Sequence, residues 1–145
     1  MAVADASTSF AWNRPPWTVL VAVAMVVVAG AIGVVYGIGL IVDRDDSAVQ
    51  ADLGLSSGGL VGYGVGSMAV GAILIAAAVW LARGGRTARW IVGWFILLHL
   101  LHGVTIVFQW YDVSAWEGIS SIVSSGIALY LLFFTDRARR FYART

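Results

Sequence analysis

Two histidines near the middle of a long apolar run are the side chains best suited to chemistry in this sequence. The run covers residues 90–110, and it contains His99 and His102. At a helical 100° per residue, Thr105 and Gln109 fall with both imidazoles within an arc of about 120°. A neutral or protonated imidazole can relay protons or hold a polar ligand. The spacing therefore predicts one polar face on an otherwise apolar helix.

The next apolar run offers a second polar face that could meet the first. Its arc of about 140° at helical spacing holds Glu117, Ser120, Ser121, Ser124 and Ser125. A polar group in hydrocarbon is costly unless it is hydrogen-bonded. Two interpretations stay open. Either serines and backbone carbonyls merely satisfy the histidines, or the paired faces form a proton path or a ligand pocket.

Metal or haem ligation is the third interpretation of the histidine pair. The i,i+3 spacing differs from the i,i+4 histidines of the zinc-protease helix, and the chain contains no cysteine. Haem needs axial ligands on opposite ring faces, which Met68 or the histidine of a second copy could complete. We expect no metal and no cofactor, with haem as the alternative.

Glu117 also has a structural explanation. Ser114 stands three residues before it, which fits the S-x-x-E capping box at the start of a helix. The alternative is a cation or proton site shared with Gln109 and Asp112. The sequence has no nucleophile elbow, phosphate loop, dinucleotide fingerprint or triad, so we expect no catalytic residues and a non-enzymatic protein.

The elements that carry these side chains are membrane-spanning helices. The chain has 145 residues, of which 60% are hydrophobic and 12% charged, and a soluble domain could not bury that apolar surface. Four apolar runs of spanning length are present, at residues 17–42, 59–82, 90–110 and 114–135. The third rises over about 31 Å, which matches a hydrocarbon core of about 30 Å. We predict an all-α membrane protein, one domain over residues 1–145, folded as an antiparallel four-helix transmembrane bundle.

Charge and length exclude several other classes. The net charge of +1 is too small to indicate a nucleic-acid partner. The first apolar run has 26 residues and ends in acidic residues, so it is longer than the core of a signal peptide. Residues 43–57 contain four aspartates and are expected to form a solvated loop.

Small residues recur at helical spacing in the first two runs and predict close helix packing. Gly33 and Gly37 share a face of the first run, while Gly58, Gly62 and Gly66 share a face of the second. Glycine lets transmembrane helices approach closely, and association in lipid depends on such contact. Replacement of Gly62 by leucine is therefore expected to destabilise the bundle.

The arginines predict the orientation in the membrane. Eight of nine lie at the ends of the apolar runs that share a side with both termini, and Arg44 alone lies on the other. We therefore expect a multi-pass protein of the bacterial inner membrane. By the positive-inside rule, both of its termini face the cytoplasm. Six of these arginines are expected to contact anionic lipid or a partner protein: Arg83, Arg86, Arg89, Arg137, Arg139 and Arg140.

Two stretches carry a resemblance to a group of known proteins. RWIVGWFILLHLLHG and the ending LYLLFFTDRARRFY resemble the small, mostly uncharacterised four-helix integral membrane proteins of high-GC Gram-positive bacteria. The size also resembles that of the small multidrug resistance transporters. Those have an essential carboxylate in the first helix, whereas the first run here has no charged residue.

Three functional hypotheses follow from these patterns. The first is an accessory or scaffolding subunit of a larger inner-membrane complex, whose partners are lipids and other membrane subunits or a second copy. The alternative is a small transporter or a proton- or ligand-conducting oligomer that uses the histidine and serine faces. A redox or lipid-binding role is a third possibility.

Overall fold

The computed structural model describes residues 15–109 and 115–143, and every element in these ranges is helical. In chain order the helices are α1 (Trp17–Val42), α2 (Ser47–Leu53), α3 (Ser57–Ala82), α4 (Arg86–Gln109), α5 (Ala115–Leu129), a π-helix (Tyr130–Phe134) and α6 (Asp136–Ala143). Helix α3 thus begins two residues, and α4 four residues, before the start of the corresponding predicted span. The fourth predicted run is divided between α5 and the π-helix.

Three helices are long and apolar enough to cross a membrane, namely α1, α3 and the Arg86–Thr105 part of α4. A fourth span is possible by length and composition if Gly118–Phe134 is counted with α6, from which it is bent by 54°. The structure therefore agrees with a multi-pass membrane protein of three or four spans. Apolar side chains project outward along these helices, as lipid contact requires.

Helices α1 and α3 pack as an antiparallel pair whose backbones meet at glycines. A Cβ on Gly30 would lie 2.7 Å from the carbonyl oxygen of Gly71, and Gly37 meets Gly64 in the same way. Between these two contacts the Ser67 hydroxyl donates a hydrogen bond of 2.8 Å to the Gly33 carbonyl oxygen. Small residues are thus what allows the two helices to approach closely.

The glycine stripe expected to pack α3 makes no contact with another helix within the described ranges. A Cβ added to Gly58, Gly62 or Gly66 meets nothing within 4 Å in the described ranges. The contact with α1 is made instead by Gly64 and Gly71. Because a position two residues away on a helix is turned by about 200°, Gly62 and Gly66 face away from α1 when Gly64 faces it. The packing of the described residues therefore gives no reason for a leucine at position 62 to destabilise the protein.

A common core joins the helices at the end where α1 begins, α3 ends and α4 begins. Its fully buried side chains come from five elements: Val19, Leu81, Val92, Leu132 and Tyr142. Helix α6 closes this core, because the Tyr142 hydroxyl donates a hydrogen bond of 3.2 Å to the Leu81 carbonyl oxygen. Burial of these apolar groups stabilises the end that also carries the arginine cluster.

Helices α4 and α5 form a second antiparallel pair with its own small-residue contact. A Cβ on Gly103 would lie 3.0 Å from both side-chain atoms of Ser121 and 3.1 Å from the Gly118 carbonyl oxygen. Gly103 is buried by this contact. The molecule therefore contains two glycine-dependent helix pairs that share one core.

The connection between α1 and α3 contains a helix where a solvated loop is expected from its charges. Asp46 caps α2 by accepting a 2.8 Å hydrogen bond from the Ala48 amide, and Gly54 ends the helix in the left-handed conformation with φ of 63°. The Gln50 side chain donates to the Arg44 carbonyl oxygen at 2.7 Å. Local side-chain to backbone bonds thus order a segment that remains largely exposed.

The π-helix is the irregular element of the fold. It follows α5 directly, and it ends at Thr135, whose backbone is extended and whose hydroxyl donates to the Leu131 carbonyl oxygen at 2.8 Å. Short π-helical turns occur often at functional sites. Here the turn brings Leu131 and Leu132 into the core and leaves Phe134 exposed.

Candidate functional site

Helix α4 places both histidines on its exposed surface. His99 lies about 20 Å along the helix axis from Arg86 and about 15 Å from Gln109, and His102 is one turn further on. Both side chains are exposed. The Thr105 hydroxyl turns back to its own helix and donates to the Leu101 carbonyl oxygen at 2.9 Å. The Gln109 side chain lies outside the described residues.

Helix α5 contacts α4 near the histidines through a backbone group of α4. The Ser121 hydroxyl donates to the His99 carbonyl oxygen at 3.2 Å, and the Ser124 hydroxyl donates to the Ser121 carbonyl oxygen at 3.2 Å. Ser125 is buried with 4% exposure. The two predicted faces are therefore adjacent, and neither of these two hydrogen bonds involves an imidazole. Ser114 and the Glu117 side chain, and with them the capping box, lie outside the described residues, as does Asp112.

The two imidazoles make no hydrogen bond with any group in the described ranges of the chain. They stand on a segment that is apolar enough to span a membrane. Acyl chains offer neither donors nor acceptors, so an unsatisfied imidazole at this depth is costly.

The described surroundings of the two histidines offer no group of metal ligands. Within residues 15–109 and 115–143 no three His, Asp or Glu side chains lie close enough to hold a metal ion. Met68, considered above as a haem ligand, packs against α1, where a Cβ on Gly37 would lie 2.7 Å from its Cγ. Its thioether stem is thus part of the contact between α1 and α3.

Comparison with known proteins returns nothing similar. No protein-family model matches the chain, and no curated protein or solved structure matches it either.

The arginine cluster is partly built into the fold. Arg86 donates from Nε to the Tyr142 carbonyl oxygen at 3.0 Å and from Nη2 to that of Ala143 at 3.3 Å. Arg139 donates from Nε to the Phe133 carbonyl oxygen at 3.0 Å. These bonds satisfy carbonyls near the ends of α6 and the π-helix, which have no partner within their own helices.

Arg89 lies between two aromatic rings at the junction of α4 and α6. Its guanidinium carbon is 4.6 Å from the ring centroid of Phe133 and 5.0 Å from that of Tyr142. Both distances are in the range of cation–π attraction. Burial raises the pKa of the Tyr142 phenol above its usual value, and the nearby Arg89 charge partly opposes this. Tyr142 is thus held neutral.

The sequence indicated the basic cluster but not its aromatic partners. Among the described residues the only ion pair joins Arg44 to neighbouring Asp45, at 3.4 Å, away from the cluster. Arg83, Arg137 and Arg140 are exposed. The alternation of aromatic and basic residues in the last stretch of the sequence was the available signal for Phe133 and Tyr142, but helical spacing alone could not reveal the contact with α4.

Proposed function

We propose that this chain is a non-enzymatic integral membrane protein that acts as an accessory or scaffolding subunit of a larger complex. The observation that carries the proposal is the pair of exposed histidines on α4, His99 and His102, which have no hydrogen-bond partner in the described chain. A neighbouring transmembrane helix that supplies polar groups would satisfy them.

The free face of α3 supports the same proposal. One small-residue face, at Gly64 and Gly71, packs against α1, while the opposite one, at Gly58, Gly62 and Gly66, is open. Glycines cost helix stability relative to alanine, by about 1 kcal/mol each. Their repetition on an open face is explained if another helix packs closely there.

The proposed arrangement in the membrane is an antiparallel four-helix bundle with both termini in the cytoplasm of a bacterial cell. Helix α5 and the π-helix would form the fourth span, and α6 would lie at the inner surface. The arginines at the shared core favour this orientation by the positive-inside rule. Activity of a C-terminal reporter that works only in the cytoplasm is expected; activity of one that works only outside it would contradict the orientation.

The experiment that tests the subunit role is quantitative purification from the native membrane in a mild detergent. A stoichiometric protein partner should accompany the native chain. The H99L/H102L double variant should fold, but much less of the partner should co-purify with it. Ile32 and Val35 on α1 have the same spacing and are 63% and 68% exposed, so the I32L/V35L variant is a matched control that should keep the partner. Recovery of the native chain as a lone monomer would overturn the proposal.

A second candidate is a small transporter or proton-conducting oligomer. It is favoured by the fact that His99 and His102 lie about one turn apart on an exposed face, so that facing copies could form a short relay. Proteoliposomes containing only this chain should then conduct protons, and the double leucine variant should not. No flux above that of empty vesicles would reject this alternative.

A further inference from the structure

An apolar groove lies beside the arginine cluster, between α4 and the end of α5. Its volume is about 260 Å³, and its walls include Trp90, Trp94, Leu97, Leu129, Phe133 and Phe134. This is somewhat below the 300–1,000 Å³ of pockets that enclose a small molecule. A groove of this size, open on one side, can hold a segment of a hydrocarbon chain.

Gly93 and Phe133 both line the groove, and the glycine faces the aromatic ring. Gly93 is buried, and a Cβ on it would lie 2.7 Å from the tip of the Phe133 ring. Trp90 holds the same ring in a tilted contact with a centroid distance of 5.5 Å. Trp90, Trp94 and Phe134 are each more than 60% exposed, so the groove has an aromatic rim. Since α4 is a spanning helix, this rim faces lipid.

Phe133 also connects the groove to two cationic side chains. The Arg89 guanidinium carbon lies 4.6 Å from the centroid of its ring, and Arg139 donates to its carbonyl oxygen at 3.0 Å. A molecule whose chain contacts Phe133 therefore has two guanidinium groups close to one end. This combination of an apolar slot and adjacent cations matches a molecule with a chain and an anionic head.

Arg89 has unused hydrogen-bonding capacity at this position. Its Nε is buried and has no partner, and its guanidinium makes no hydrogen bond within the described ranges. A guanidinium carries five donors and binds phosphate well. Because Nε itself is closed to a ligand, a phosphate would bind the terminal Nη groups, which also make no hydrogen bond within the described ranges.

We propose that the groove and the two guanidiniums of Arg89 and Arg139 form a binding site for one anionic glycerophospholipid. Part of an acyl chain lies along the groove, and the phosphate lies against the guanidiniums. The lipid belongs to the leaflet at the arginine end. This site is independent of the histidine face and of the subunit role.

The surrounding charge selects an anionic headgroup over a zwitterionic one. The arginine cluster has six members, whereas Asp136 is the one described carboxylate in the same part of the sequence, residues 83–89 and 136–143. The ammonium of a zwitterionic lipid would be repelled there, while each basic residue near an anionic surface contributes about 1 kcal/mol. Phosphatidylglycerol is thus a suitable probe and phosphatidylcholine its neutral counterpart.

Quenching of tryptophan fluorescence by brominated acyl chains tests the site, because bromine quenches only at contact. The full chain is reconstituted in vesicles that contain brominated phosphatidylglycerol or brominated phosphatidylcholine at equal mole fraction. Phosphatidylglycerol should quench severalfold more strongly at the site. The difference should disappear in a W90F/W94F variant, which reports the background of the other tryptophans.

Arginine variants assign the selectivity to the site. R139Q alters an exposed side chain and should reduce the preference for phosphatidylglycerol severalfold. A folded R89Q variant should show the same reduction. R137Q, also exposed and of equal charge change, is the matched control and should leave most of the preference intact. Equal quenching by the two lipids, or an equal loss of preference in R137Q and R139Q, would overturn the proposal.

Discussion

Gly64 of α3 lies so close to Gly37 of α1 that a methyl group on Gly64 would come within 2.7 Å of the Gly37 carbonyl oxygen. The same methyl would lie 2.8 Å from a side-chain carbon of Ile41. Because the first of these neighbours is backbone, it can move only if the helices separate. The α1–α3 pair therefore tolerates no side chain at this position.

Alanine at position 64 is expected to destabilise the protein, by about 1–3 kcal/mol as for other overpacked positions. Alanine at position 66 points into open space and is the matched control. It should be neutral or stabilising by up to about 1 kcal/mol, since alanine favours helix over glycine. Thermal unfolding of both variants in the same detergent measures the difference. Equal melting temperatures would show that α1 and α3 do not pack as described.

The α4–α5 pair should depend on Gly103 in a similar way. Leucine there would displace Ser121 and the hydrogen bond from its hydroxyl to the His99 carbonyl oxygen. A loss of about 1–3 kcal/mol in unfolding free energy is expected. Leucine at Gly126 on α5, where an added Cβ meets nothing within 4 Å, provides the control. A G126L variant as unstable as G103L would mean that the pair uses a different face.

Tyr142 should make the docking of α6 sensitive to alkaline pH. Burial raises the pKa of its phenol in the folded protein above the ordinary value of 10.0. The contribution of the neutral Tyr142 phenol to the free energy of unfolding is complete below pH 10. It is lost as the pH rises further, because the phenol of the unfolded chain releases its proton first. Y142F should lose about 1 kcal/mol at neutral pH, from the bond to the Leu81 carbonyl oxygen. The free energy of unfolding, measured from pH 8 to 11, should then fall less steeply with pH for Y142F than for the native chain. Identical slopes for the two proteins would contradict this role.

The sequence predicts the spans well but cannot decide which face of α3 packs on α1. Hydrophobic length alone predicts the bounds of α1, which runs from Trp17 to Val42. Helix α3 carries small residues on two opposite faces, and residue type is the same on both. The closer contact at Gly64 and Gly71 is selected by the complementary glycines of α1, which is a property of the pair of helices.

The candidate site shows the same limit at the level of side chains. Helical spacing correctly places His99, His102 and Thr105 on α4, but it gives only their relative phase. The rotation of α4 against α5 is set by the contact between Gly103 and Ser121, and with that contact both imidazoles are exposed. The π-helix could not be anticipated either, since the apolar run around Tyr130–Phe134 fits an ordinary helix equally well.

In the proposed subunit role, another protein covers the exposed histidine face of α4 in the native membrane. The most direct measurement is the amount of partner recovered per copy of the chain, compared between the native protein and the H99L/H102L variant at equal expression. A stoichiometric partner is expected for the native chain, with a severalfold loss for H99L/H102L and no loss for I32L/V35L. A native chain that purifies alone, or a histidine variant that keeps its partner in full, would contradict it.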